Sequence, residues 1–416
     1  MPAPATTARE AAVRIIAALR HFGFTAYFAG GCVRDALLGQ RPKDYDIATD
    51  ATPQQVQELF PRSAAVGAAF GVVIVYTPKP SPRHRWVTEV ATFRADSDYS
   101  DGRRPDSVRF TNAEEDARRR DFTINGLFAD PAEDPSAEIP DRIIDYVGGQ
   151  ADLEAKLIRA IGDPGERFSE DYLRMLRAVR FAARLGFEIE PRTSAAIRAN
   201  ARYLGQISRE RIGQELNAML LGPRPAVALR LLQEHKLDAP TLNEDPNGHG
   251  LSCSEKLDMD AEVPTRLAAW LIDRHGRSES FGQVVTRWRK ALSMSNEVRD
   301  ELNRLLSLMN TLDGWSDMGR AARKRLASHD RWDQSLLLYE ALGGDSATMR
   351  DDTAGLELDG IGLCPDALLT GDDLVAAGFE PGPAFKTLLD RAYDLQLEGS
   401  LTDRARALAW LREQRG

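Results

Sequence analysis

Two aspartates one residue apart, Asp44 and Asp46, follow a double glycine in "GGCVRDALLGQRPKDYDIAT", residues 30–49. The preceding "AYFA" reads as a short strand and the following "VRDALLG" as a helix closed by Gly39. A glycine turn entering a helix brings bare backbone amides to the helix N-terminus, where anionic ligands are favoured. "KDYDIAT" reads as a second strand, and alternate side chains on a strand share a face, so Asp44 and Asp46 point the same way. Two like carboxylates side by side repel unless a cation sits between them. Such a pair beyond a phosphate cradle suits Mg²⁺-assisted phosphoryl or nucleotidyl transfer, with two ions about 4 Å apart. One ion activates an attacking hydroxyl and the other steadies the leaving pyrophosphate. A lone Asp-x-Asp is more often a polar turn, and Gly30, Gly31, Arg34 and Asp35 at fixed distance give this one its weight. Glu89, in "VTEVATF", is either a third acid for the site or a plain exposed strand residue.

A second cluster is "EEDARRRDFTIN", 114–125. Arg118, Arg119 and Arg120 alone describe a charged helix face, but Asp121 and Asn125 follow at once with i, i+4 spacing and would share a face of a helix. An arginine against a triphosphate and an Asp/Asn pair near a sugar make a workable nucleotide site. The third cluster is "EDYLRMLRAVRFAARLGF", 170–187. On a helix, Arg174, Arg177, Arg180 and Arg184 fall within about 120° of arc. Met175, Leu176, Val179, Ala182 and Ala183 take the other side, while Leu173 and Phe181 interrupt the division, so the arginine face is not purely solvated. Four arginines and no lysine point to planar, bidentate contacts. Asp171 and Arg174 are spaced as a weak surface salt bridge.

These clusters must be held by a chain of 416 residues, long enough for two to four domains. It is 43% hydrophobic and 28% charged, a globular mix with no run of eighteen apolar residues, so no membrane span is expected. The start, "MPAPATTAREAAVRII", has no apolar leader core and predicts no secretion. Cys32, Cys253 and Cys364 are few and unpatterned, which predicts reduced thiols in the cytoplasm and no zinc site. The net charge of −9 conceals an asymmetry: residues 156–211 carry 12 Lys/Arg against 7 Asp/Glu, a locally positive surface for a polyanion.

Up to about residue 150 the pattern is mixed, with strands expected at "GVVIVYT" (71–77) and "RWVTEVATFR" (85–94). "TPKPSPRH" reads as a hairpin or loop and "RADSDYSDGRRPDS" as loop throughout. From "ADLEAKL" at 151 the chain turns helical almost without interruption. Breaks are expected at 221–226, 239–254 and near 343–365. His235, His249, His275 and His329 are read as isolated, with no appended His-Asp phosphohydrolase.

"GGCVRDALLGQRPKDYDIAT", "VATFR…DGRRPDSVRF", "EEDARRRDFTINGL" and "EDYLRMLRAVRFAARLGF", in order over roughly the first 220 residues, resemble the bacterial class II CCA tRNA nucleotidyltransferase and poly(A) polymerase family. A weaker echo runs through "PDALLTGDDLVAAGFEPGPAFKTLLDRAYDLQLEGSLT", whereas residues about 240–350 match little. The resemblance implies an α+β fold, a polymerase-β-like nucleotidyltransferase head with a mixed sheet followed by an all-helical neck, body and tail. The boundaries expected are 1–150 for the head, 151–220 for the neck, 221–345 for the body and 346–416 for the tail. It implies that Asp44 and Asp46 bind Mg²⁺ and that Gly31 and Arg34 contact the incoming nucleotide. Arg120, Asp121 and Asn125 would meet triphosphate and ribose. Asp171 and Arg174 would read the base, with Arg177 and Arg180 nearby on the phosphates.

Reading a base with a carboxylate and a guanidinium has a physical rationale. Cytosine and adenine each present an exocyclic amine beside a ring-nitrogen acceptor, where guanine and uracil present carbonyls. An accepting carboxylate and a donating guanidinium therefore take C and A and oppose G and U. The implied reaction is addition or repair of the 3′-terminal CCA of tRNA from CTP and ATP, by a cytoplasmic monomer or homodimer. A poly(A) polymerase, a CC- or A-adding specialist, and a catalytically silent RNA-binding protein stay open. The neck lacks an obvious basic, phenylalanine-rich insertion of the poly(A) type, and intact Asp44, Asp46 and Arg120 speak against a silent protein.

Overall fold

The computed structural model describes residues 5–65, 71–81, 84–97, 107–131, 142–278 and 280–414. Two compact units divide the chain, residues 1–246 and 247–416. The first opens with α1 (Ala8–His21), where the Thr7 hydroxyl accepts from the Glu10 N–H at 3.1 Å and caps the helix. Its apolar stripe, Ala12, Ile15, Ile16 and Leu19, is buried, and the helix packs against the sheet. There follow β1 (Ala26–Ala29), α2 (Gly31–Leu37), β2 (Ile47–Thr49), α3 (Pro53–Leu59) and β3 (Ser63–Ala65). Next come β4 (Val72–Pro78), β5 (Arg85–Thr92), β6 (Arg94–Ser97), β7 (Ser107–Phe110), α4 (Ala113–Arg119), β8 (Phe128–Asp130) and β9 (Arg142–Ile144).

Seven strands form one sheet in the order β3-β4-β5-β2-β1-β8-β9. The β2–β5 pair is parallel and the others antiparallel, so the sheet is mixed, as expected. Ala29, Ala48, Phe93, Phe128 and Ile144 pack with Ala113 and Ala117 of α4 into its core. Phe93 meets Phe128 edge-on at 5.7 Å between centroids. Each such buried ring is worth roughly 1.5–3 kcal/mol, enough to fix α4 and the residues that leave it.

Two local expectations are corrected here. The segment read as loop throughout, 94–107, begins and ends as the antiparallel pair β6–β7, anchored where the Arg94 N–H donates to Asp116 at 3.2 Å. Its middle, 98–106, lies outside the described residues, as do 82–83 of "TPKPSPRH". The strand carrying the aspartates starts only at Ile47, so Asp44 and Asp46 stand on the extended approach to β2. Tyr45 is buried against Phe28 at 5.5 Å, which turns the flanking acids away from the core.

The unit continues through α5 (Gly149–Glu154), β10 (Leu157–Ile158), α6 (Pro164–Glu170), α7 (Leu173–Leu185), β11 (Glu188–Ile189) and α8 (Pro191–Asn200). It ends with α9 (Arg209–Leu220), α10 (Pro225–Glu234) and α11 (Asp238–Leu242). The parallel ribbon β10–β11 interrupts the expected helical run, entered through Lys156 at φ 56° and through the left-handed Gly186 that ends α7.

The second unit comprises α12 (Ser252–Lys256), α13 (Val263–His275), α14 (Gly282–Ala291), α15 (Asn296–Leu312) and α16 (Arg320–Ala327). It is completed by α17 (Trp332–Ala341), α18 (Ser346–Glu357), α19 (Gly371–Ala376), α20 (Pro383–Leu397) and α21 (Arg404–Glu413). α18 occupies much of the break expected at 343–365. Asp345 caps it by accepting from the Thr348 N–H at 3.1 Å, and Met349 is buried among Leu312, Trp315, Trp332 and Leu336. His329, read as isolated, is followed by Asp330, and the two side chains lie 2.8 Å apart. Among the described residues no three His, Cys, Asp or Glu side chains gather as a metal cage. No described helix is long and apolar enough to cross a membrane.

Candidate active site

β1 runs into Gly30, whose φ of 67° suits glycine and whose N–H donates to the Leu127 carbonyl at 2.9 Å. A Cβ at Gly30 would stand 2.8 Å from Arg120 Nη1, so the bare turn is what lets Arg120 reach the Asn125 carbonyl at 3.1 Å. Arg120 also grips Asp116 through Nε and Nη2, at 3.1 and 3.0 Å, and lies over the Phe128 ring. Gly31 begins α2, and Arg34 within it is buried. Arg34 donates twice to Asp35, at 2.8 and 2.6 Å, and through Nη1 to Asn125 Oδ1 at 2.5 Å. Arg184 reaches the other Asp35 oxygen at 3.0 Å.

Asp46 is half-buried and lines the cleft beside this turn, together with Glu89 of the adjacent strand β5. Asp44 is exposed and does not line the cleft, but its charge reaches Asp46. Burial, then the Glu89 and Asp44 carboxylates, push the Asp46 carboxyl up to about 6. A crowded set of oxygen donors that resists carrying its full charge is chemically suited to a hard divalent cation. Asp46 and Glu89 alone do not close a metal cage, so a substrate's own oxygens would complete the coordination of a cation held there. Glu89 is an exposed residue of β5 that also lines the cleft with Asp46, so both readings of it stay open.

Asp121 and Asn125 do not share a helix. α4 ends at Arg119, Arg120 is extended at φ −67°, ψ 170°, and Thr123–Asn125 form a 3₁₀ turn. That turn still returns Asn125 to Asp121, with Nδ2 donating to Oδ1 at 3.0 Å. The helix gives way because Phe122 is buried whole, edge-on to Phe181 of α7 at 5.9 Å. The Asp121 carboxylate also accepts from the Phe122 N–H at 2.8 Å and from Arg177 Nε and Nη2 at 2.8 and 2.7 Å. Burial alone would raise its pKa. Arg177, the hydrogen bonds from Asn125 and Arg177, and the charge of Arg174 outweigh that and hold it at about 2.

The arginine face of α7 is half-buried at Arg174, Arg177 and Arg180, and exposed only at Arg184. Phe181, which broke the helical division in the sequence, has Arg180, Arg34 and Arg177 over its ring at 4.5, 5.1 and 5.3 Å from the centroid. Arg180 donates to Glu215 of α9 at 2.7 Å. The Asp171–Arg174 spacing is overtaken by other pairings. Asp171 takes Arg211 on both oxygens, at 3.2 and 2.6 Å, while Arg174 donates to Glu170 and to the Arg167 carbonyl. Sequence reasoning missed Arg211 and Glu215. Their signal is the i, i+4 pair in "RERIGQEL", a charged couple on the helix that packs against α7.

The cleft has a volume of ≈ 610 Å³. Asp46 and Glu89 line it, as do Gly31, Arg34, Arg120, Asp121 and Asn125, and then Asp171, Arg174, Arg177 and Arg180. Of the residues expected to hold metal or nucleotide, Asp44 stands outside the lining, as do Asp35 and Arg118 of the motifs around them. Arg119, Arg184 and Arg211 bring the arginines to eight, against the four carboxylates of Asp46, Glu89, Asp121 and Asp171. Asp35, Asp116, Glu170 and Glu215 behind the lining hold Arg34, Arg120, Arg174 and Arg180, so the cleft offers oriented guanidinium donors to a polyanion rather than a large net charge. Acids at one part of a single cleft and guanidinium groups around the rest can hold a metal–triphosphate and present its base to side chains.

Residues 26–159 match the family described as poly A polymerase head domain, and residues 186–244 the one described as probable RNA and SrmB-binding site of polymerase A. Over 403 residues the chain is 35% identical to a CCA-adding enzyme of Limosilactobacillus fermentum, covering 95% of this chain and 94% of that one. It is 34% identical to the CCA-adding enzyme of Geobacillus stearothermophilus, with 97% of each covered. Among solved structures it resembles the Bacillus stearothermophilus CCA-adding enzyme in complex with CTP, at a TM-score of 0.78 and 30% identity over 99% of this chain and 98% of that one.

Proposed function

Because the chain belongs to the family of CCA-adding enzymes, we propose that its cleft adds or repairs the 3′-terminal CCA of tRNA from CTP and ATP. The protein is a nucleotidyltransferase. The observation that carries the reading is one cavity lined both by Asp46 with Glu89 and by the arginines of α2 and α7. The four-part division at 150, 220 and 345 belongs to the same reading. So does a cytoplasmic setting, in keeping with Cys32, Cys253 and Cys364 all remaining free thiols.

Asp44 and Asp46, with Glu89 beside them, would hold Mg²⁺, which when bound neutralises charge on the reacting phosphate and lowers the pKa of an attacking hydroxyl. Arg34 and Arg120 meet the triphosphate, fixed in place by Asp35, Asp116 and Asn125. Asp121 and Asn125, already joined to each other, face the ribose. Pinned donors and acceptors of this kind cost little reorganisation when charge develops. The tRNA 3′-oxygen attacks the α-phosphorus, a new P–O bond forms, and the bond to the β-phosphate breaks to release pyrophosphate. Asp171 is oriented by Arg211 and Arg174 by Glu170, which presents one fixed acceptor and one fixed donor to the base edge. Protein side chains thereby take the place of a template strand.

The test uses tRNA transcripts ending at the discriminator base, at C or at CC, each given labelled CTP or ATP alone. Stepwise addition of C, C and A is expected. Asp46→Asn abolishes it while tRNA binding survives, and normal turnover in that variant overturns the metal assignment. Runs of A on every transcript indicate poly(A) synthesis, and arrest after CC or acceptance of A alone indicates a specialist.

A further inference from the structure

Tyr172 and Tyr203 have no part in the chemistry above, yet their rings stack with centroids 5.1 Å apart and planes 23° from parallel. That is the flattest ring pair among the described residues, the others being tilted or edge-on. The Arg202 guanidinium lies 4.7 Å from the Tyr203 centroid and donates to the Tyr203 hydroxyl at 2.7 Å. Both tyrosines are half-buried and Arg202 is exposed, so the column reaches solvent. Tyr172 directly precedes α7 and sits between Asp171 and Leu173, both of which line the cleft. Tyr203 lies in the 3₁₀ turn Ala201–Gln206, within the segment matched to an RNA-binding family and inside the positively charged stretch 156–211.

We infer that Tyr172, Tyr203 and Arg202 form a stacking platform for an unpaired nucleobase at the 3′ end of the tRNA acceptor strand, which it holds beside the mouth of the nucleotide cleft. Every base offers a π-face to such a column, so the contact tolerates any discriminator base and the C residues added after it. The guanidinium adds attraction to the base and to the neighbouring phosphate. A growing end needs this kind of grip, because the terminal base changes at each addition while the site that selects the next nucleotide stays the same. Asp171 and Arg174 select the incoming base, and the tyrosine column steadies the one already attached.

The inference rests on the CCA-adding reading, and its test separates the two. The full chain is titrated into a tRNA transcript lacking CCA and carrying 2-aminopurine at its 3′ end, without CTP, and steady-state KM values are measured for tRNA and CTP. The wild type quenches the 2-aminopurine. Tyr203→Leu loses the quench and raises KM for tRNA about tenfold with KM for CTP nearly constant, as loss of one base–aromatic stack requires. Tyr203→Phe retains both. Arg202→Ala, on an exposed side chain, raises KM for tRNA alone, and it carries the test if Tyr203→Leu does not fold. Tight binding without quench, quenching that survives Tyr203→Leu, or KM values for tRNA and CTP that rise together overturns the platform alone. Failure of the wild type to bind the transcript at all overturns the CCA-adding reading with it.

Discussion

Replacing Asp121 by asparagine keeps the shape of the side chain and removes the charge on which the floor of the cleft depends. The carboxylate accepts from the Phe122 N–H, Asn125 Nδ2 and two nitrogens of Arg177. An amide has one accepting end, so if its oxygen serves Arg177 its NH₂ faces the donors of Phe122 and Asn125. The usual carboxyl value of 3.8 falls to about 2 in the folded chain. At about 1.4 kcal/mol per pKa unit that shift is worth roughly 2.5 kcal/mol at neutral pH. Because Asp121 is buried, screening by solvent takes little from this figure. Arg177 then keeps only Glu215, at 3.8 Å, which puts the total at the lower end of the ~3–5 kcal/mol typical of breaking a buried pair.

The pH dependence has a fixed sign. A depressed folded pKa gives stability that is whole above the unfolded value and is lost as pH falls through the folded one. The gap between wild type and Asp121→Asn is therefore flat from pH 7 to about 5, and the charge-dependent part falls to roughly half near pH 3. Hydrogen exchange followed by mass spectrometry reads this locally on peptides covering 113–130 and 173–185, without requiring the two units to unfold together. Exchange rises in both peptides at neutral pH, because Asp121 ties the segment after α4 to α7. A variant whose α7 peptide exchanges like the wild type's at pH 7 refutes the reasoning.

Gly30→Ala forces a side chain into a backbone region suited to glycine and against Arg120, so unit stability drops by about 1–3 kcal/mol and KM for CTP rises, read by thermal melting and steady-state kinetics. Arg174→Ala removes one oriented donor and reduces the preference for CTP over UTP by about tenfold, measured by single-nucleotide incorporation, while Asp46-dependent chemistry persists. In the second unit Lys324 is fully buried and its Nζ lies 2.6 Å from Asp359, whose carboxylate also takes the Arg320 Nε at 2.9 Å. Asp359→Asn strands that lysine at a cost of about 3–5 kcal/mol, and adding Lys324→Met recovers most of it in a denaturant titration.

What the sequence made legible is what local spacing governs. The strand–glycine–helix turn at 26–37 and the arginine face of α7 follow from patterns a few residues long, and the first forms as read, while the mixed sheet is what the family resemblance implied. The misreadings arose where a distant partner decides. Asp121 and Asn125 have helical spacing, but Phe122 is drawn into the interior against Phe181, nearly sixty positions on in the chain, and the helix ends to allow it. The pair then meets through a tighter turn, so the contact survived although the element did not. Asp171 and Arg174 failed in the opposite way: Arg174 is helical as expected in α7, with Asp171 extended just before it, but Arg211 and Glu170 claim the charges. Asp171 was assigned to a near neighbour in sequence, when a desolvated ion pair selects the partner that best satisfies its hydrogen bonds, here Arg211. Arginine presents five donors in a fixed fork, and a buried one must satisfy them from several directions. An arginine-lined cleft therefore recruits carboxylates from scattered segments. Glu215 of α9 holds Arg180, Asp35 of α2 reaches Arg184, and Asp121 and Asp171 take Arg177 and Arg211 across the fold, whereas Asp116–Arg120 and Glu170–Arg174 are local i, i+4 pairs.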